Sequence, residues 1–184
     1  MPAGRTLQQA EMAVNLLIAS LSVFFAAGIA AVLLVARRLP QATSIPGSLS
    51  LATICLLATS FTLHRACRAV RREHQTAFRG WIAAALVLAV GFCAAQSFGM
   101  WDLCSRHLAV RADGQTWILL FVLVALHAAH VFVGLGILGV VSIRAWRGRF
   151  DHEYHLGLTL TARYWHFLDA VWLAVLGTCA LLLR

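Results

Sequence analysis

Gln115 to Ile143 reads QTWILLFVLVALHAAHVFVGLGILGVVSI, a run without a single Asp, Glu, Lys or Arg. Crossing a hydrocarbon core about 30 Å thick takes roughly 20 apolar residues as a helix, at about 1.5 Å per residue. This run is long enough, with length to spare for tilt. Four more stretches approach or exceed the requirement: Met12 to Val35, Leu49 to Ala66, Gly80 to Leu103 and Ala162 to Leu183. The second narrows to Thr62 if counted strictly, so its end is expected to continue as a helix into the arginine-rich segment that follows. The chain is 61% hydrophobic and 12% charged over 184 residues, more apolar side chain than one soluble core of that size can hide. The expected fold is all-α: an integral membrane bundle of five transmembrane helices, forming a single domain over residues 1–184. Met1 to Glu11 is polar and the first apolar run is too long for a signal-peptide core, so no cleavable leader is expected and the first helix stays.

The net charge of +8 rests on arginine alone, since the chain holds no lysine. Arginine keeps its charge near low-dielectric surfaces and grips phosphates with two parallel hydrogen bonds, so phospholipid is the expected counterpart. Nucleic acid is not, because no basic patch interleaved with aromatics is present. Ten arginines fall on the N-terminus and the second and fourth connections, against five on the opposite side. Positive connections are retained in the cytoplasm, which places the N-terminus inside and the C-terminus outside. Arg65, Arg68, Arg71 and Arg72 share one side of a helix leaving the membrane and are candidate lipid head-group contacts. The alternative is a cluster that sets topology and binds nothing specific.

Between the first two spans, Pro40, Pro46, Gly47 and Ser48 supply turn and N-cap chemistry. Cys55, Cys93 and Cys179 fall inside spans, where a thiol acts as a small hydrophobe. His64 with Cys67, and Cys104 with His107, have a three-residue spacing that supplies half a metal site at most. The glycines Gly134, Gly136 and Gly139 suggest a packing surface for a neighbouring helix.

Four submerged polar residues carry more information. His127 and His130 lie three apart and therefore on one helix face, as do His166 and Asp169 in the fifth span. Polar side chains at membrane depth point inward and need partners. Three arrangements suit them: a four-ligand metal site, a haem clamped between two histidines, or a hydrogen-bonded staple between helices with no redox role.

Tyr164 to Leu173, YWHFLDAVWL, closely resembles the last-helix signature of haem-copper oxidase subunit III, usually YWHFVDVVWL. His127 to Leu135, HAAHVFVGL, resembles that family's HGxHVxxGL element in the preceding helix, with Ala128 where glycine is usual. Weaker similarity covers Leu57 to Arg72, against SSxTLxxAxRAxRR, and Gln96 at the end of the third span. Family members have seven helices or five, and this chain looks like the five-helix form. The resemblance implies a non-catalytic subunit of a respiratory terminal oxidase in a bacterial cytoplasmic (inner) membrane. It would dock on catalytic subunit I and subunit II, bind phospholipid and support proton uptake during oxygen reduction. No cofactor is expected in this chain, haem and copper being carried by the partners, and the staple reading of His127, His130, His166 and Asp169 is favoured. Within the family the alternatives are a quinol oxidase subunit III or an accessory protein of a nitric-oxide-reductase system. Outside it, the alternative is a stand-alone membrane metal or haem protein. Two departures stand out: Ser22 occupies the position of a buried family glutamate, and Gly99 or Met100 that of an acidic residue after the third-span glutamine.

Overall fold

The computed structural model describes residues 2–35, 47–108, 114–148 and 156–182. Among these run five helices and no strand: α1 (Pro2–Val35), α2 (Gly47–Arg71), α3 (Gln75–Leu108), α4 (Gly114–Trp146) and α5 (Leu156–Leu182). Each contains a stretch long and apolar enough to cross a membrane, so the protein is a multi-pass membrane protein. The helices outrun the apolar stretches that announced them. Helix α2 does continue through the arginine cluster to Arg71, α3 starts at Gln75 instead of Gly80, and α5 starts at Leu156 instead of Ala162. Backbone hydrogen bonding does not stop where hydrocarbon does, and alanine, glutamine and arginine favour the helix in water as well as in lipid. Pro40 and Pro46 lie outside the described residues, while Gly47 is the first residue of α2.

Only residues 72–74 separate α2 from α3. The amides of Arg72 and His74 both donate to the Ala69 carbonyl, at 3.2 and 3.1 Å, and Glu73 adopts a left-handed φ of 59° that reverses the chain. So tight a connection forces an antiparallel pair, and α2 and α3 share the most extensive interface in the bundle. Helix α5 packs against α1, α2 and α4, while α4 touches α1, α3 and α5. The larger core cluster, which includes Leu63, Phe78, Phe92, Leu138, Trp165 and Leu168, joins α2 to α5. A smaller one around Phe25, Leu123 and Val175 ties α1 to α4 and α5.

Small residues set two of these contacts. A Cβ on Gly28 would lie 2.9 Å from Leu123 Cδ1, so the small stretch of α1 does admit a close neighbour. A Cβ on Gly134 would lie 3.2 Å from both Leu168 and Tyr164, bringing α4 onto α5. Gly136 and Gly139 correct the expectation of a three-glycine packing surface, since nothing lies within 4 Å of a Cβ built on either. Successive glycines at these offsets point in different directions around a helix, and only Gly134 faces α5.

Candidate functional site

Helix α5 faces three neighbours at once, so its polar side chains decide what the bundle can do. Asp169 is buried, and its Oδ2 accepts a hydrogen bond from the Ser60 hydroxyl of α2. One turn further on, Trp172 Nε1 donates to Thr53 Oγ1 of α2 at 2.9 Å, and that hydroxyl in turn donates a hydrogen bond to the Leu49 carbonyl at 2.8 Å. On the side toward α4, the Tyr164 hydroxyl donates to the backbone carbonyl of His130 at 3.1 Å. These three bonds run from α5 to both α2 and α4.

The histidines behave differently. His127 is fully buried, and neither ring nitrogen has a protein partner. Its ring stacks on Trp172, with centroids 5.4 Å apart and planes 25° from parallel, and meets the edge of Phe25 at 6.3 Å. The imidazole here acts as an aromatic plate between α1, α4 and α5. His130 Nδ1 donates to the Leu126 carbonyl of its own helix at 2.6 Å. His166 is half exposed, and its Nδ1 stands 3.9 Å from Asp169 Oδ2, beyond hydrogen-bond reach. Asp169 Oδ1 has no partner.

Of the expected four-residue network of His127, His130, His166 and Asp169, only the Asp169 side chain bonds another helix, through Ser60 of α2, and no hydrogen bond ties the four to one another. Shared spacing did put each pair on one face, but no hydrogen bond links the two pairs. The interhelical bonds pair Asp169 with Ser60, Trp172 with Thr53, and Tyr164 with the His130 carbonyl. Ser60 stands in Thr59-Ser60-Phe61-Thr62, a polar cluster inside an apolar helix and part of the segment that resembles SSxTLxxAxRAxRR. Among the described residues, no group of three or more His, Cys, Asp or Glu side chains converges as metal ligands would. Cys104 and His107 fall where side chains are not described.

The arginines divide. The Arg65 guanidinium lies 5.2 Å from the centre of the Trp81 ring on α3, a cation–π contact. Arg68 and Arg71 border a cavity of about 460 Å³ between the end of α2 and the start of α5, together with His64, Cys67, Arg163 and His166. Arg163 is further held by Asn15 of α1, to whose side-chain oxygen it donates at 2.8 Å. Arg72 is exposed beyond the end of α2. The half-exposed His166 thus faces a basic hollow, a placement that its three-residue offset from Asp169 did not suggest.

Residues 13–179 match the family model of cytochrome c oxidase subunit III. The chain belongs to the cytochrome c oxidase subunit III family. It is 25% identical over 136 residues to a cytochrome c oxidase subunit 3 of Thermostichus vulcanus, which covers 72% of this chain and 64% of the relative. A subunit 3 of Corynebacterium diphtheriae is 26% identical over 128 residues, covering 68% of this chain and 61% of the relative. One from Gadus morhua is 42% identical over 62 residues, or 34% of this chain and 24% of that protein. The matches thus span from 24% to 64% of these relatives' own length. The departures from the subunit III pattern at Ser22 and Gly99 can be placed in the bundle. The Ser22 hydroxyl donates back to the Ile18 carbonyl at 2.7 Å and sits on an exposed face. A Cβ on Gly99 would come within 2.7 Å of Leu49 and 2.8 Å of Ser48, so α2 leaves no space for an acidic side chain there.

Proposed function

We propose that this chain is the non-catalytic subunit III of a respiratory haem-copper terminal oxidase of the cytochrome c oxidase type. It packs against catalytic subunit I and subunit II, which hold the haem and copper, and supports assembly and proton uptake while oxygen is reduced. The observation that carries this reading is the family match over nearly the whole bundle. The arrangement of the submerged polar groups supports it, because they are spent on helix-to-helix bonds and an aromatic stack. The N-terminus lies inside and the C-terminus outside a bacterial cytoplasmic membrane, in keeping with the arginine asymmetry.

In that orientation the hollow bordered by Arg68, Arg71 and Arg163 opens on the cytoplasmic leaflet, where anionic phospholipid is its natural occupant. Arg65 and Arg72 flank it as outer head-group contacts. Each arginine near an anionic surface contributes on the order of 1 kcal/mol.

The test is purification from native membranes through a tag on this chain. Haem-bearing partners identified in the same complex, with oxygen consumption and a colourless chain after dissociation, is the expected result. Iron, copper or zinc bound stoichiometrically to the isolated chain would overturn the reading and favour a stand-alone metal or haem protein.

A further inference from the structure

A second cavity of about 460 Å³ lies between α3 and α4, bordered by Gln96 and Trp101 on one side and by Phe121, Ala125, Ala128 and Phe132 on the other. Nothing in the subunit role described above uses it. Its polar borders all belong to α3, and two of them carry N–H donors, the Gln96 carboxamide and the Trp101 indole. Gln96 is only 5% exposed, and its Nε2 has no hydrogen-bond partner. A buried donor without an acceptor is costly, so a guest that brings a carbonyl to it is favoured.

The placement of the donors says what kind of guest this is. Gln96 and Trp101 stand five residues apart, about 7.5 Å along α3 and about 140° around it, so they reach the cavity from two sides. Side chains on a helix lean toward its N-terminus, which draws the Trp101 indole back toward the level of Gln96. Two separated donors call for two acceptors on one molecule. No charged side chain borders the cavity, so the guest is neutral. On α4 the small Ala125 and Ala128 leave a slot between the rings of Phe121 and Phe132, a shape that suits a flat ring. Apolar and aromatic walls with a few polar groups are the usual make-up of a small-molecule site, and the volume falls in the same range. Phe121, Phe132 and Trp101 are exposed, so the slot opens sideways to the surroundings of a membrane-spanning helix. Gln96 lies six residues before Asp102, the end of the α3 span, or about 9 Å along the helix, which approaches the edge of the hydrocarbon.

A neutral, planar molecule with an acceptor on each of two opposite edges and an apolar tail is a quinone. A fatty ester brings its carbonyl to one donor and leaves the other unmet, and a sterol alcohol carries a single oxygen. We propose that this slot binds the ring of a membrane 1,4-quinone against Ala125 and Ala128, with one carbonyl accepting from Gln96 Nε2 and the other from the Trp101 indole. The tail leaves sideways into the bilayer. The site is one of binding alone, and it is separate from the basic hollow, since it reads uncharged carbonyls and not a phosphate.

The experiment uses the assembly purified from its native membrane and reconstituted in phosphatidylcholine bilayers. An azido-substituted decylubiquinone, photolysed in place, should label peptides covering residues 93–101 and 121–132 of this chain. Unlabelled decylubiquinone should displace it, whereas an equal amount of a decylbenzene with ring and tail but no carbonyls should not. Gln96→Leu and Trp101→Phe each delete one donor, the second with an aromatic ring retained. Each should weaken binding about three- to ten-fold, the factor one hydrogen bond gives. The wild-type displacement stands without any variant having to fold. Equal displacement by the carbonyl-free analogue, no label in either segment, or variants that bind as tightly as the wild type would each overturn the proposal. So would labelling that rises when the ester-linked bilayer is replaced by its ether-linked analogue, an outcome that gives the slot to a lipid ester. Failure here leaves the subunit III reading standing, since that rests on the family match.

Discussion

The bond between Ser60 and Asp169 is the point at which the bundle's construction can be tested most directly. It ties α5 to α2, and the second carboxyl oxygen has no partner of its own. The two ends are therefore unequal. Removing the hydroxyl, as in Ser60→Ala, leaves both oxygens of a buried carboxyl unmet, a loss of about 1–3 kcal/mol and more if the group is ionised. Removing the acceptor, as in Asp169→Leu, leaves a serine whose hydroxyl can turn to the carbonyl one turn earlier, as Ser22 and Ser142 already do. What then disappears is the net value of one interhelical bond, about 0.6 kcal/mol on average in membranes and up to about 1.7. Asp169→Asn keeps an acceptor for Ser60 and should retain most assembly. The expected order of damage is Ser60→Ala above Asp169→Leu above Asp169→Asn. Thermal unfolding in micelles, with recovery of tagged chain in the complex, measures it, and a double-mutant cycle isolates the coupling. A coupling within about 0.3 kcal/mol of zero would show that the two side chains do not act together. Equal and complete loss of assembly in both Asp169 variants would mean that a charge, and not a hydrogen bond, is required.

Three further outcomes are expected. His127→Phe should leave unfolding temperature unchanged or raise it, because the ring stack with Trp172 survives while two unpartnered nitrogens vanish; a loss of more than about 2 kcal/mol would reveal a partner for the imidazole. Gly134→Ala should destabilise by about 1 kcal/mol through contact with Leu168 and Tyr164, whereas Gly136→Ala, which meets nothing, should be neutral or gain up to about 1 kcal/mol in the same assay. Replacing Arg68 and Arg71 together by glutamine should weaken retention of anionic phospholipid by about 2 kcal/mol at low ionic strength, measured as lipid co-purified per complex, with the deficit shrinking as salt is raised.

The number and type of elements were legible because an uncharged 29-residue run such as Gln115 to Ile143 has one economical solution in lipid, a helix that satisfies every backbone group internally. The ends were less legible, since hydropathy reports where hydrocarbon stops, and α2 and α3 carry on past that level into residues that are helical in water too. The tight reversal at residues 72–74 carries no glycine or proline; it depends on Glu73 accepting a left-handed backbone, which sequence pattern does not advertise.

The site was legible only as far as periodicity reaches. Spacing of three places His166 and Asp169 on one face of α5, and the structure keeps them there at 3.9 Å. Which neighbour that face meets depends on rotation of the helix about its own axis, and each residue of error turns a side chain by about 100°. In a soluble protein the apolar stripe fixes that angle, because one side must meet water. Here every side is apolar, and the stripe that would have pointed Asp169 at Ser60, or His127 at Trp172 instead of at a carboxylate, is absent. What fixes rotation is small and local: the missing side chain at Gly134, and the hydroxyls of Thr53 and Ser60 on α2. A membrane helix therefore states in its sequence which polar residues must be hidden, and leaves to the shapes of its neighbours the choice of partner.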